Sequence, residues 1–276
     1  EVENDDAFKD AVKQTIEYIH QGDIFQANIT RRYTALISGN ARHAAVDMLE
    51  APGGWFGAWL EFPETNKYLL SMSPELFLTT HHQTQRVLTR PMKGTRSEHA
   101  SPQELLDSDK DAAELHMIVD LMRNDLGRLC EYGSIQVDAA RVLERHPTVW
   151  QCVGEVSGTL RSDVTTTDVI RGTFPAGSIT GAPKVRAMEI IQKLESTPRG
   201  PYCGAIGIFG QSLHLNVAIR TAMIQGEGDA SNLQGSLTYS TGCGIVADSN
   251  PDDEVQESKV KAEIMNQFTT TLTMRP

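Results

Sequence analysis

The first group in this sequence equipped for chemistry is a lysine on a tight backbone. Lys93 stands in Arg90-Pro91-Met92-Lys93-Gly94-Thr95-Arg96, just after the β-like run Arg86, Val87, Leu88. Pro91 and Gly94 constrain the chain around it, so the stretch reads as a turn. Its lysine either points into a site or is an ordinary surface lysine on a hairpin loop. Acids occur in unusual places on two helical patterns. From Asp109 to Leu126 the apolar face is Leu115, Ile118, Val119 and Met122, and Asp111 and Glu114 fall on or beside it. From about Glu254 to Thr271 the stripe is Val260, Ile264 and Phe268, overlapped by Glu254, Glu257 and Lys261. Acids at a buried helix edge are costly unless paired or metal-bound. Oxygen donors alone suit Mg²⁺, and neither helix carries Cys or His at ligand spacing for a softer metal. A set of buried ion pairs is the alternative account.

Three further features belong with these. Glu75, in Ser73-Pro74-Glu75-Leu76, opens a strand either as a solvated end or as a buried acid with a raised pKa. Arg220 interrupts the apolar run Val217, Ala218, Ile219, and either pairs with a buried acid or grips a substrate carboxylate through its two-pronged guanidinium. Two glycine-rich stretches, Gly172 to Pro183 and Thr241 to Ser249, offer backbone N–H groups. The first lacks the Gly-Lys-Ser/Thr of a nucleotide phosphate loop but suits a carboxylate at a helix start.

The elements that must hold these groups follow in chain order. A helix over Asp6 to His20 ends at Gly22, and a strand runs from Asp23 to Leu36 with Gln26 and Asn28 on one face. After the central helix come strands over Ser134 to Leu143 and Thr148 to Leu160. The helix after Pro183 turns Val185, Met188, Ile191 and Leu194 inward. Strands over Tyr202 to Phe209, Leu213 to Ile224 and Ser236 to Gly242 suggest an antiparallel sheet. Connectors are short, so one compact domain over residues 1–276 is expected.

Composition bounds the function. The chain has 276 residues, 39% hydrophobic and 22% charged, with net charge −11. Wrapping nucleic acid or an anionic membrane is disfavoured by that charge, and no apolar run is long enough to span a bilayer. An anionic ligand would need a local positive spot made by a metal or clustered Lys and Arg. Cys130, Cys152, Cys203 and Cys243 are far apart, which argues against zinc and gives no disulfide framework. Reduced thiols in a cytoplasmic protein are the default expectation. The chain does not begin with Met and reads as a fragment or trimmed chain.

The segments GDIFQANIT, SPELFL, RPMKGTR, AELHMIVDLMRNDLGR, FPAGSITGAPKVRAMEII, YCGAIG, AIRTA, TGCGIVADS and EVQESKVKAEI occur in an order that closely resembles the chorismate-utilising enzymes. That family includes anthranilate synthase component I, aminodeoxychorismate synthase component I, and isochorismate and salicylate synthases. The resemblance spans residues 7 to 270. It implies an α+β fold, a large sandwich of two mainly antiparallel sheets flanked by helices. It also implies that an N-terminal region of full-length members, with its regulatory amino-acid site, is missing here.

Residue by residue, the resemblance implies the following. Lys93 is the position where anthranilate synthases carry alanine and aminodeoxychorismate synthases carry a lysine nucleophile. Gln26 takes the place of the lysine that activates water in isochorismate and salicylate synthases. Together they imply formation of 4-amino-4-deoxychorismate, toward p-aminobenzoate and folate. The ammonia would come from a partner glutaminase (a glutamine amidotransferase), and the product would pass to a lyase. Lys93 would attack C2 of chorismate as the free amine, and Glu75 would protonate the departing C4 hydroxyl. Mg²⁺, held mainly by Glu114 and Glu257 with Glu254 and Asp111 nearby, would bind the ring carboxylate. Arg220, Lys261, Tyr202, Thr180 and the Gly242/Gly244 turn would hold the two carboxylates. Thr95 and Gln26 complete the substrate-binding set. Gln151 departs from the pattern, standing where many relatives have a histidine tied to pyruvate elimination. Anthranilate synthesis, another chorismate reaction, and a non-catalytic scaffold for a glutaminase are the alternatives.

Overall fold

The structure is a computed structural model that describes residues 2–51, 54–97, 99–145 and 149–274. In chain order the elements are α1 (Asp5–His20), β1 (Gln26–Gly39), α2 (Ala41–Glu50), β2 (Ala58–Phe62), β3 (Lys67–Ser71), β4 (Leu76–His81), β5 (Arg86–Arg90), β6 (Met92–Ser97) and α3 (Gln103–Leu106). There follow α4 (Asp109–Gly127), β7 (Gln136–Arg145), β8 (Val149–Thr159), α5 (Thr166–Thr173), β9 (Gly181–Ala182), α6 (Lys184–Leu194), β10 (Ala205–Phe209), β11 (Leu213–Val217), β12 (Thr221–Asp229), β13 (Asn232–Ile245) and α7 (Pro251–Met274). All strand pairings are antiparallel, so the α+β class expected from sequence is what the chain adopts.

Two compact units divide the chain where one domain was expected. The first comprises Glu1–Ser73, Ile179–Gly204 and Ala218–Pro276, and the second Pro74–Ser178 and Ala205–Val217. Each owns one sheet. No linker marks the division, because the chain passes from unit to unit at single peptide bonds such as Ser73–Pro74 and Val217–Ala218. The expected strand from Leu213 to Ile224 is in fact two. It breaks at residues 218–220, with Arg220 at φ 48°, and its halves β11 and β12 join different sheets.

In the first unit the sheet order is β2-β3-β12-β13-β1-β9. Its spine is the pairing of β1 with β13, from Ala27 opposite Ile245 to Gly39 opposite Leu233. One core packs Leu70, Ala222, Ile224 and Tyr239 of the sheet against Ala41, Ala45 and Met48 of α2 and Met265, Phe268 and Leu272 of α7. A second joins Phe8 and Val12 of α1 and Ile190 and Ile191 of α6 to Ala27, Ile29, Cys243 and Ile245. Two helix faces differ from expectation. On α7 the buried set is Glu254, Val255, Ser258, Ala262, Met265, Phe268 and Leu272, while Val260 is 63% exposed. On α6 it is Ala187, Ile190 and Ile191, with Val185 and Met188 exposed. Phe268 on α7 and Ile191 on α6 are buried as expected, and small residues (Ser258 and Ala262, Ala187) fill places on the buried faces that the larger Val260, Val185 and Met188 were expected to take.

In the second unit the order is β10-β11-β4-β5-β8-β6, with β7 also paired to β8. Helix α4 buries Leu115, Ile118, Val119 and Met122, the face its periodicity predicts. It lies close on the sheet because β8 presents glycine there. A Cβ on Gly154 would sit 2.5 Å from Val119 Cγ2. Ser108 caps the helix by accepting the Asp111 amide at 3.1 Å.

Candidate active site

The acid–base groups of the second unit come together on β4, β6 and α4. Pro74 leads Glu75 into β4, and the side chain is 3% exposed rather than solvated. Burial pushes its pKa up to about 7. The Ser178 hydroxyl, the Lys93 charge and the Met92 backbone amide pull the other way. Ser178 donates to Glu75 Oε1 at 2.6 Å from the short turn Gly177–Ile179. Sequence reasoning had not singled out Ser178. The available signal was a hydroxyl inside a glycine-rich loop, but nothing local in sequence links it to an acid 103 residues away.

Lys93 lies on β6 rather than on a turn. Lys93 opposes Cys152 and Thr95 opposes Gln151, so Gly94 is the extra residue of a β-bulge, with φ 76°. A side chain at Gly94 would meet Asp111 and Leu105 at 3.0 Å, so glycine also lets the bulge rest on the start of α4. The Lys93 side chain is 14% exposed, and its Nζ is 3.8 Å from Glu114 Oε2. The bulge therefore re-aims a lysine inward, away from the exposed surface position of an ordinary hairpin lysine.

The expected neighbours fare differently. Asp111 pairs with Arg96 at 2.9 Å. Thr95 is exposed, and Gln151 Nε2 reaches its hydroxyl at 3.5 Å. Gln151 itself is buried, with Oε1 lacking a hydrogen-bond partner among the described residues.

The first unit gathers cationic and hydrogen-bonding groups around β13 and the loop before β10. Arg220 sits in the left-handed region, where non-glycine residues are uncommon. Burial weighs against its charge and lowers its pKa. Among the described residues its guanidinium has no hydrogen-bond or ion-pair partner, so the buried-acid alternative finds no support. Tyr202 is buried, which raises its phenol pKa well above the ordinary value. A Cβ on Gly242 would lie 2.5 Å from Asn28 Nδ2 and 2.7 Å from Tyr202 Oη, so both polar groups overhang that glycine. Lys261 donates to the Gly242 carbonyl at 2.8 Å and pairs with Glu257 at 2.6 Å. Desolvation pulls the Lys261 pKa down, but the carboxylates beside it, Glu257 by charge and hydrogen bond and Glu254 by charge, help to reverse it, and the net shift is upward. Thr180 is buried, and its carbonyl accepts the Asn28 amide at 2.7 Å. Gly244 faces Asn28 across the β1–β13 ladder, and Gln26 at the start of β1 is fully buried.

Metal-binding chemistry is present in the same unit. Ligand atoms of Glu254, Glu257 and Cys243 all lie within 4.8 Å of one another. Glu254 is buried and accepts from Ser249 at 2.8 Å, whereas Glu257 is half exposed. Burial pushes the Cys243 thiol far up, which leaves it protonated and a poor ligand. The usable donors are then two carboxylates, a hard oxygen set that fits Mg²⁺.

Residues 1–267 match the family model for chorismate binding enzymes. The chain belongs to the chorismate binding enzyme family. Within it, the chain is 39% identical to an anthranilate synthase component 1 of Haloarcula marismortui, over 94% of this chain and 53% of the relative. It is also 39% identical to the aminodeoxychorismate synthase component 1 of Escherichia coli, over 89% of this chain and 54% of the relative. The crystal structure of anthranilate synthase component I from Streptococcus pneumoniae superposes with TM-score 0.85 at 30% identity, covering 95% of this chain and 58% of that one. The chain spans about half the length of the curated relatives it matches. No helix among its described residues is long and apolar enough to cross a membrane.

Proposed function

We propose that the chain is the catalytic part of an aminodeoxychorismate synthase. It converts chorismate and ammonia to 4-amino-4-deoxychorismate, with ammonia delivered by a partner glutamine amidotransferase and the product consumed by a lyase in p-aminobenzoate and folate synthesis. A cytoplasmic setting fits four unpaired, buried cysteines. The observation that carries the reading is Lys93, turned inward by the Gly94 bulge within 3.8 Å of Glu114 and close enough to Glu75 to affect its ionisation. Gln26 rather than a lysine at the water-activating position supports ammonia as the incoming nucleophile.

The chemistry assigned to these residues is as follows. The Lys93–Glu114 pair opens so that Nζ attacks as the free amine. Its lone pair forms a bond to C2, both ring double bonds shift along the ring, and the C4–O bond breaks. Glu75, with a pKa of about 7, holds a proton near neutrality and gives it to the departing oxygen, so water leaves. Ammonia adds at C4, both double bonds shift back, and the C2–N bond to Lys93 breaks. The surplus ammonium proton returns to the Glu75 carboxylate, closing the cycle. Arg220 and Tyr202 supply donors for substrate carboxylate. Mg²⁺, when bound, supplies positive charge against the ring carboxylate. Glu254 and Glu257 are its oxygen donors in the first unit, and Glu114 has the same donor chemistry in the second.

Anthranilate formation is the competing reading, supported by the equal identity to the Haloarcula relative. Lys93 and Gln151 weigh against it, the latter because the histidine linked to pyruvate elimination is replaced. Incubation of the purified chain with chorismate, Mg²⁺ and ammonium, followed by chromatography and mass spectrometry, is expected to give 4-amino-4-deoxychorismate. Anthranilate and pyruvate, formed without an added lyase, would overturn the proposal.

A further inference from the structure

Glu254 is held through its amide, its carbonyl and its carboxylate. It lies buried in the first turn of α7, and its amide donates to the Asn250 carbonyl at 3.0 Å. Its carbonyl accepts from the Cys243 thiol at 3.4 Å, using the hydrogen that burial keeps on that sulfur. Its Oε1 accepts from the Ser249 hydroxyl at 2.8 Å. Ser249 is itself buried, in the turn between β13 and α7. That turn is closed without the hydroxyl hydrogen. The Ser249 amide donates to the Val246 carbonyl at 3.0 Å, and the Val246 amide donates to the Ser249 Oγ at 3.1 Å. A carboxylate only accepts, so the remaining hydrogen on this hydroxyl is the one that points at Glu254. The contact fixes which way the carboxylate turns. The carboxylate so fixed is the one whose ligand atom lies within 4.8 Å of that of Glu257.

From this geometry we infer that Ser249 is a positioning residue for the cation site, its hydroxyl holding the Glu254 carboxylate in the orientation a divalent cation needs. A carboxylate left to rotate loses that freedom when it binds, and Mg²⁺ tolerates little departure from its preferred geometry. A donor behind the ligand removes the cost beforehand. The inference rests on the proposed reading that Glu254 and Glu257 are oxygen donors to Mg²⁺.

The test is titration of the full chain with Mn²⁺, a paramagnetic substitute for Mg²⁺ read by electron paramagnetic resonance, with and without chorismate. Excess Mg²⁺ should displace the Mn²⁺, and loss of binding in Glu254→Gln locates it at this site. Ser249→Ala is expected to weaken Mn²⁺ binding about 10–100-fold. Ser249→Thr keeps a hydroxyl donor and is expected to retain most of the affinity. Melting temperatures without metal identify a serine that serves the turn alone: Ser249→Ala would then melt lower while the folded chain bound Mn²⁺ as wild type does. Unchanged Mn²⁺ affinity in folded Ser249→Ala, whatever its melting temperature, overturns the inference, and so does an equal loss in Ser249→Thr. Should Ser249→Ala fail to fold, Ser249→Cys, whose thiol is a weak donor, supplies the same affinity measurement. No Mn²⁺ binding by the wild-type chain, or binding indifferent to Glu254→Gln, instead overturns the metal reading on which the inference rests.

Discussion

Replacing Glu75 by glutamine removes a buried acid whose charge the fold resists. The carboxyl has a pKa of about 7 in the folded chain against an ordinary glutamate value of 4.5, chiefly because it is buried. Below pH 4.5 the group is protonated in folded and unfolded chains alike. Between 4.5 and about 7 the unfolded chain releases the proton and the folded chain keeps it, so stability falls as pH rises. Above about 7 both are ionised and the loss is complete. At 1.36 kcal/mol per pH unit the difference amounts to about 3 kcal/mol. Glu75→Gln cannot ionise, still accepts from the Ser178 hydroxyl through its carbonyl, and should escape that loss. Urea unfolding at pH 4.5, 6 and 8 is the assay. Trp150 on β8 reports the unit that holds Glu75, while Trp55 and Trp59 report the other. The variant is expected to gain on wild type by about 3 kcal/mol between pH 4.5 and 8, in the transition seen by Trp150. Other titrating groups cancel in the comparison. Parallel stability curves for the two proteins would refute the claim that this acid is buried and held neutral.

Arg199→Met should destabilise the first unit by roughly 3–5 kcal/mol, because it leaves the buried Glu195 carboxylate without its cation, now 2.7 Å away. A melting-temperature loss of under a degree would contradict that. Gly181→Ala places a Cβ 2.1 Å from the Gln26 carbonyl, a backbone atom that cannot step aside, and should cost at least about 1–3 kcal/mol in thermal unfolding. Chelation with EDTA should abolish turnover, and Mg²⁺ added in excess should restore it; full activity in EDTA would rule out the cation's assigned role.

Much of this arrangement was legible before any coordinates. The buried face of α4 followed from spacing alone because its core residues are large and apolar. On α7 and α6 the same rule picked Phe268 and Ile191 correctly but also Val260, Val185 and Met188, all exposed, because part of each contact face is built from the small residues Ser258, Ala262 and Ala187. Residue size there reports how near the sheet lies, and that distance is a tertiary fact. Lys93 was visible as a candidate, but the bulge that aims it depends on register with Cys152 and Gln151 on a strand more than fifty residues later. Asp111 and Glu114 looked equivalent on the helix, but Arg96 pairs with the first and Lys93 with the second. Glu75 and Ser178 are joined through space alone. The two interleaved units left no trace in composition, since no linker was needed.

Overall identity cannot choose the reaction, since it averages over more than 250 positions and comes out at 39% for relatives named for either one. The choice turns on whether Lys93 is a nucleophile or merely a cation, and arginine separates these roles. Lys93→Arg keeps the positive charge and can keep an ion pair with Glu114, now at 3.8 Å. It cannot attack, because guanidinium stays protonated at any working pH. If Lys93 bonds to C2, Lys93→Arg and Lys93→Ala should both lose on the order of 10³-fold or more in kcat for aminodeoxychorismate formation. If it only neutralises charge, Lys93→Arg should stay within about tenfold of wild type while Lys93→Ala falls much further. Arginine is bulkier, so chorismate affinity is measured for both variants; a loss confined to kcat, with binding intact, points to the missing nucleophile. An active Lys93→Arg enzyme would leave the bulge, the inward lysine and the family membership standing, and would remove the covalent step.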